Sequence, residues 1–136
     1  YEDSCPHRSA DTANPLTFYE RSRMIDGAMA EAGIDRSEFM IVPMPINYPD
    51  RICYYVPSDG EFFLTIYDEW GWKRKEIIES LGYKTTVLWV RDDSSRISSG
   101  TEIREKMMSG ENWSHLVPPF VYRFAMENRL AERMKE

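Results

Sequence analysis

The chain reads as an α/β domain built on a parallel sheet flanked by helices. Three observations predict this. Glu61 to Tyr67 is apolar on both faces, as a central parallel strand is. A helical pattern, Lys73 to Leu81, follows it, and Tyr83 to Val90 is the next strand. A strand-helix-strand order makes the two strands parallel, joined by a right-handed crossover. With 136 residues, the chain is expected to form one domain, 1–136, with a real core.

Composition narrows the function. The net charge of −6 argues against a nucleic-acid or acidic-membrane footprint. It leaves room for a local positive cluster around a phosphate. No apolar run approaches the roughly 20 residues that span a bilayer. Four Trp, eight Tyr and six Phe predict an aromatic core or pocket. Cys5 and Cys53 lie far apart without metal-type spacing, and are expected to be free thiols in a reducing cytoplasm. No repeat or low-complexity tract is seen.

Taken in order, Tyr1 to Ala13 is polar and rich in breakers, so it reads as a loop. His7 and Arg8 sit there, either as solvated surface or as contacts to substrate phosphates. Thr17-x-x-Glu20 is a capping box, and a helix should run from it to about Ala32, ended by Gly33. Its apolar positions are Phe18, Ile25, Ala28, Met29 and Ala32, with Met24 beside them as core filler. Arg21 falls in its first turn, where the helix dipole gives no reason for a cation. It is either a surface arginine or a ligand contact.

Phe39 to Val42 is predicted as a short buried strand, stopped by Pro43 and Pro45. The stretch from Ile46 to Gly60 is too rich in Pro and Gly for regular structure. It carries Asn47, Tyr48, Arg51 and Tyr55, which line a pocket or pack on the domain edge. In the helix after the first long strand, Trp72, Ile77, Ile78 and Leu81 are expected inward, with Gly82 as terminator. Asp68, Glu69 and Trp70 fall at the carboxyl end of that strand, where ligands bind in such sheets. Trp70 either stacks on a base or packs at the helix start. Pro118 to Glu136 reads as one amphipathic helix packed on the sheet, and His115 as structural.

The remaining stretch, Ile97 to Arg104, is a loop feeding a helix that Gly110 closes. Ser99-x-x-Glu102 fits a second capping box. Such a start presents free backbone N–H groups backed by the positive end of the dipole. With a small Gly100, the hydroxyls of Ser98, Ser99 and Thr101, and Arg104 one turn in, it makes a phosphate cradle, or else simply a well-capped helix. By sheet geometry, Asp68 to Trp70 and Ser99 to Arg104 are expected on one edge.

Ser99-Gly100-Thr101-Glu102-Ile103-Arg104 resembles the C-terminal phosphate motif of the nucleotidyltransferase superfamily that includes nicotinamide mononucleotide adenylyltransferases. Asn14-Pro15-Leu16-Thr17-Phe18-Tyr19-Glu20-Arg21 resembles that family's Asn-Pro-Phe-Thr-x-x-Glu-Arg motif, and Asn112-Trp113 with Leu116-Val117-Pro118 resembles the segment after the phosphate helix. The likeness runs from about residue 6 to 133. It implies a Rossmann-like fold and adenylyl transfer from ATP, helped by Mg²⁺, to nicotinamide or nicotinate mononucleotide, a step of NAD biosynthesis. It implies that Ser99, Gly100, Thr101 and Arg104 hold the triphosphate and that Arg21 holds the acceptor phosphate, both arginines being catalytic. It implies that Asn47, Tyr48 and the Asp68-Glu69-Trp70 segment shape the acceptor or base pocket, with His7 nearby. No metal ligand is assigned. The partners expected are small nucleotides and, by analogy, a second copy of the chain. The family's His-x-Gly-His is not found, since the histidines are His7 and His115. With Tyr1 in first place, the first β-α-β segment is expected to lie outside this chain, and the chain by itself to be weakly active or inactive. Two alternatives stand beside the adenylyltransferase: a non-catalytic nucleotide-binding module, and a nucleotidyltransferase with another donor and acceptor, such as a cytidylyl or phosphopantetheine adenylyl pair.

Overall fold

A computed structural model describes residues 15–135, which group into a strand-bearing unit, 42–96, and a helical unit, 15–41 with 97–135. The strand-bearing unit holds β1 (Glu61–Ile66), α1 (Glu69–Ser80) and β2 (Lys84–Val90). The strands are parallel, starting from Glu61 opposite Lys84. The register slips between Leu64 and Thr65, which leaves Leu88 as the extra residue of a bulge. Helix α1 packs on both strands, so this unit is an α/β layer with a parallel sheet, as predicted.

Its core is Ile52, Leu64, Ile78 and Tyr83. Ile52, Ile66 and Ile78 are fully buried, each stabilising the fold by about 1.5–3 kcal/mol relative to exposure. The Tyr83 hydroxyl donates to the Val56 carbonyl at 3.0 Å, which ties the loop to the sheet. Gly71 lets α1 approach β1 closely: a Cβ there would lie 3.2 Å from Ile66 Cγ2.

Four expectations are corrected here. β1 is not apolar-buried on both faces: Phe62, Leu64 and Ile66 face the core, while Phe63 is 61% exposed. Among the described residues of this unit, α1 packs on the face carrying Leu64 and Ile66, and the face carrying Phe63 is open. Phe39 to Val42 forms no strand, and Met40 is 80% exposed. Its apolar run is strand-like, but a strand exists only through a pairing partner, and the two described strands pair with each other. Helix α1 begins at Glu69 and not Lys73, because the Asp68 carboxylate accepts from the Gly71 N–H at 2.8 Å and caps it. Trp72 and Leu81, expected inward, are exposed, since the face carrying Gly71 and Ile78 is the one packed.

In the helical unit, α2 (Phe18–Glu31) starts at a complete capping box, with Thr17 and Glu20 exchanging bonds of 3.1 and 2.8 Å. Gly33, at φ +78°, ends it as predicted. Phe18 and Ile25, counted on its apolar stripe, are each 44% exposed, and Met24 carries the burial instead. Helix α3 (Gly100–Ser109) ends at Gly110 in the left-handed conformation. Helices α4 (Pro119–Glu127) and α5 (Leu130–Arg133) replace the single C-terminal helix that the apolar pattern predicts. The break falls at Arg129, at φ +50°. Helix α4 packs on α2, and α5 on α3, so these segments build a helical core.

That core is Met24, Trp113, Ala125 and Leu130, and the Trp113 ring leans on Tyr122 at 4.7 Å. Gly27 makes the α2–α4 contact close: a Cβ would fall 2.2 Å from the Phe120 ring. Two acidic residues of α2 clamp the C-terminal helices. Glu31 accepts from the Phe120 N–H at 2.8 Å, capping α4, and pairs with Arg123. Glu20 pairs with Arg133 at 2.6 Å. The Arg133 guanidinium, and then the Thr17 amide, hold the Glu20 carboxyl below its ordinary range.

Candidate active site

The helical unit contains a cavity of about 290 Å³. Met24, Ile103, Met107, Trp113, Val121 and Leu130 supply much of its apolar wall, and Arg21, Gly100 and Arg104 also line it. The two motifs singled out in the sequence, far apart along the chain, therefore share one cavity. With α2 packed on α4, α3 on α5 and α4 on α5, the first turn of α2, which carries Arg21, and α3, which carries Gly100 and Arg104, reach the same cavity.

The start of α3 is built as a cap. Ser99 Oγ accepts from the Glu102 N–H at 3.1 Å. Glu102 does not return the bond, so the expected reciprocal box is only half made. Arg104 folds back along its own helix, and its Nη2 donates to Thr101 Oγ1 at 3.2 Å. Gly100 gives it room, since a Cβ there would lie 3.1 Å from Arg104 Nη1. A cation over a helix N-terminus is electrostatically unfavourable on its own, because the dipole end there is also positive. A bound anion reverses that sign and takes both the free N–H groups and the guanidinium.

Arg21 is exposed, and Arg104 half-buried. Among the described residues neither has a carboxylate partner, although Arg36, Arg51, Arg96, Arg123, Arg129 and Arg133 each pair with one. Two guanidiniums left without a counterion at one cavity suit an oxyanion ligand, each forming charge-assisted bonds of about 1.5–3 kcal/mol.

The other predicted residues fall elsewhere. Asp68 is the cap of α1, Glu69 lies exposed in its first turn, and Trp70 is half-buried with Lys73 over its ring at 5.9 Å. The helix-start reading of Trp70 is thus the local geometry. Asn47 and Tyr48 lead into a 3-10 turn, Pro49–Tyr54, that seats Ile52 in the core. These five residues belong to the strand-bearing unit, whereas Ser99, Gly100, Thr101, Arg104 and Arg21 belong to the helical unit. His7 lies outside the described residues. The C-terminal segment, expected as an amphipathic helix, contributes Val121, Ala125, Leu130 and Met134 to the cavity wall. The apolar pattern includes Val121, Leu130 and Met134 but does not say that they face a cavity.

Among the described residues no group of three or more His, Cys, Asp or Glu is placed to hold a metal ion. No described helix is long and apolar enough to cross a membrane.

Comparison with known proteins agrees with the motifs. A phosphonoformate cytidylyltransferase of Streptomyces viridochromogenes is 40% identical over 134 residues, covering 98% of this chain and 72% of that protein. A nicotinamide-nucleotide adenylyltransferase of Pyrococcus horikoshii is 33% identical over 125 residues, covering 90% of this chain and 64% of the relative, just under two thirds of its length. A nicotinamide-nucleotide adenylyltransferase of Saccharolobus solfataricus is 30% identical over 129 residues, covering 94% of this chain and 73% of the relative. No protein-family model and no solved structure matches the chain. On these likenesses and its two motifs, the chain belongs to the nucleotidyltransferase superfamily, in the company of nicotinamide-nucleotide adenylyltransferases and a phosphonoformate cytidylyltransferase.

Proposed function

We propose that the protein transfers a nucleotidyl group from a nucleoside triphosphate to a small phosphonate or phosphate acceptor and releases pyrophosphate. The observation that carries this is the pair of guanidiniums without a carboxylate partner among the described residues, Arg21 and Arg104, at one cavity with the N-terminus of α3. An acceptor oxygen attacks the α-phosphorus. The bond from that phosphorus to the bridging oxygen breaks, and pyrophosphate leaves with the electron pair. Such a step needs no protein nucleophile. It needs two anions held against their repulsion and a sink for charge building on the leaving group. In this reading the α3 amides near Gly100, the hydroxyls of Ser99 and Thr101, and Arg104 take the β- and γ-phosphates. Arg21 takes the acceptor's phosphorus oxyanion. Mg²⁺ bound through the triphosphate itself would add charge neutralisation there, and no step is assigned to it.

Two substrate pairs are compatible with this reading. The relative at 40% identity favours CTP with a phosphonate acceptor. The archaeal relatives, at 33% and 30%, favour ATP with nicotinamide mononucleotide, with nicotinate mononucleotide as its analogue. We take the first pair. Pyrophosphate release is measured with CTP and ATP, each against phosphonoformate and the two mononucleotides. The expected result is release fastest with CTP and phosphonoformate. Fastest release with ATP and a mononucleotide makes the protein an adenylyltransferase. Nucleotide binding without release from any pair overturns the catalytic reading in favour of a binding module.

A further inference from the structure

A second arginine cluster lies in the strand-bearing unit, at the carboxyl end of the strand pair. The Arg91 N–H donates to the Ile66 carbonyl at 3.0 Å, so Tyr67 and Arg91 leave the two strands side by side. The Trp89 indole N–H donates to the Tyr67 hydroxyl at 3.1 Å, which joins the two rings. Each ring carries a guanidinium: Arg96 lies over Tyr67 at 4.4 Å, and Arg91 over Trp89 at 5.0 Å. The residues around these arginines are not a general positive patch. In segment 91–96 two arginines and two aspartates cancel. Asp93 pairs with Arg96 Nε at 2.8 Å, and the Asp92 carboxylate is held by the Ser94 N–H at 2.8 Å. Arg91 has no carboxylate partner among the described residues.

We propose that Tyr67, Trp89, Arg91 and Arg96 form a subsite for a compact oxyanion, a carboxylate or a phosphorus oxyanion, at the ligand-binding edge of the sheet. The proposal deepens the nucleotidyltransferase reading by assigning a residue set to one substrate's charged group. The chemistry follows from the stacking. An arginine lying on an aromatic face has its plane fixed, while its N–H edge stays open for two parallel bonds to an oxyanion. Arg96 gives Nε to Asp93 and keeps its terminal nitrogens, and Arg91 keeps its whole edge. The carboxyl end of parallel strands is where such sheets take their ligands. The oxyanion comes either from the acceptor or from the triphosphate, and the variants separate the two.

The test is calorimetric titration of the full protein with phosphonoformate and, separately, with CTP, for wild type, Arg91→Gln, Arg96→Gln and Arg91→Lys. Trp89 fluorescence, identified by its loss in Trp89→Phe, reports whether the ligand reaches this site. Arg91 is exposed, so its replacement should leave the melting temperature unchanged. We expect Arg91→Gln to weaken one ligand by about tenfold or more, in keeping with a lost charge-assisted bond, with Arg91→Lys between. Selective weakening of phosphonoformate identifies an acceptor subsite, and selective weakening of CTP a triphosphate subsite. Unchanged affinity for both ligands in both Gln variants overturns the subsite. That result leaves pyrophosphate release, and with it the transferase reading, untouched. No pyrophosphate release by the wild type, with the affinity changes of the variants still seen, overturns the transferase reading and leaves the subsite.

Discussion

The two units use their charged side chains in opposite ways. In the strand-bearing unit, Lys84 and Thr86 engage Glu61, Lys75 and Thr85 engage Glu79, and Asp92 caps a turn. Glu61 and Glu79 are each held below the ordinary carboxylate range by these donors, Thr86 first for Glu61 and Lys75 first for Glu79. Arg91 there rests on Trp89 without a carboxylate among the described residues, and Arg74 donates only to the Thr65 carbonyl, at 3.4 Å. In the helical unit, Glu20 and Glu31 are spent on holding helices together, while Arg21 and Arg104 at the cavity have no carboxylate among the described residues. Arg23 and Arg74 lack one as well but do not line this cavity. An unmatched guanidinium together with a cavity, rather than the missing carboxylate alone, marks where a partner can arrive from outside.

The sharpest way to break this comparison is to remove an unmatched charge. Arg104→Ala should lower kcat/KM by about 10²–10³, the scale of losing one donor to a transition-state oxyanion. Among the described residues its side-chain bond is to Thr101 on its own helix, so the melting temperature should hold. Arg104→Lys keeps the charge but not the planar fork, and should recover only part of the rate. A matching fall in stability and rate would place Arg104 among the structural charges instead.

Two glycines sharpen the contrast in packing. Gly→Ala within a helix is worth about 1 kcal/mol in favour of the folded state by propensity alone. At Gly27 the new Cβ would overlap the Phe120 ring, with overpacking costs of about 1–3 kcal/mol, so Gly27→Ala should lower stability in denaturant titration. At Gly71 the contact with Ile66 is 3.2 Å, tight but not overlapping, so Gly71→Ala should be nearly neutral. An equal loss at both sites would contradict the close α2–α4 contact.

The smallest effect is the acid dependence of the Glu20–Arg133 clamp. Glu20 is held below its ordinary 4.5. A carboxyl so lowered stabilises the fold above that value and loses the contribution as pH falls through the folded pKa. The pair is partly solvated, so the gain is about 1 kcal/mol or less. Glu20→Gln should therefore flatten unfolding free energy against pH below about 4.5, its cost in stability vanishing as pH falls through the folded pKa.

Local chemistry made much of the fold legible. Thr17 and Ser99 announce their helices because a cap needs only residues three apart, and Gly33, Gly82 and Gly110 end theirs at positive φ. What a residue meets through space was not legible. Phe39 to Val42 has strand composition but no strand beside it. The break at Arg129 involves no Gly or Pro, so nothing local signals it. At the candidate site, Arg21 was legible because a cation in a helix's first turn is out of place. The Trp89–Tyr67 bond joins residues 22 apart, and only the parallel pairing brings them together.

Arg104 is assigned to the triphosphate and Arg21 to the acceptor's oxyanion, at one cavity. Calorimetric titration measures this division directly: CTP and phosphonoformate affinities for wild type, Arg21→Ala and Arg104→Ala. We expect Arg104→Ala to weaken CTP about tenfold or more and Arg21→Ala to weaken phosphonoformate by as much, each leaving the other ligand near its wild-type affinity. Affinities unchanged in both folded variants would contradict a ligand site at this cavity.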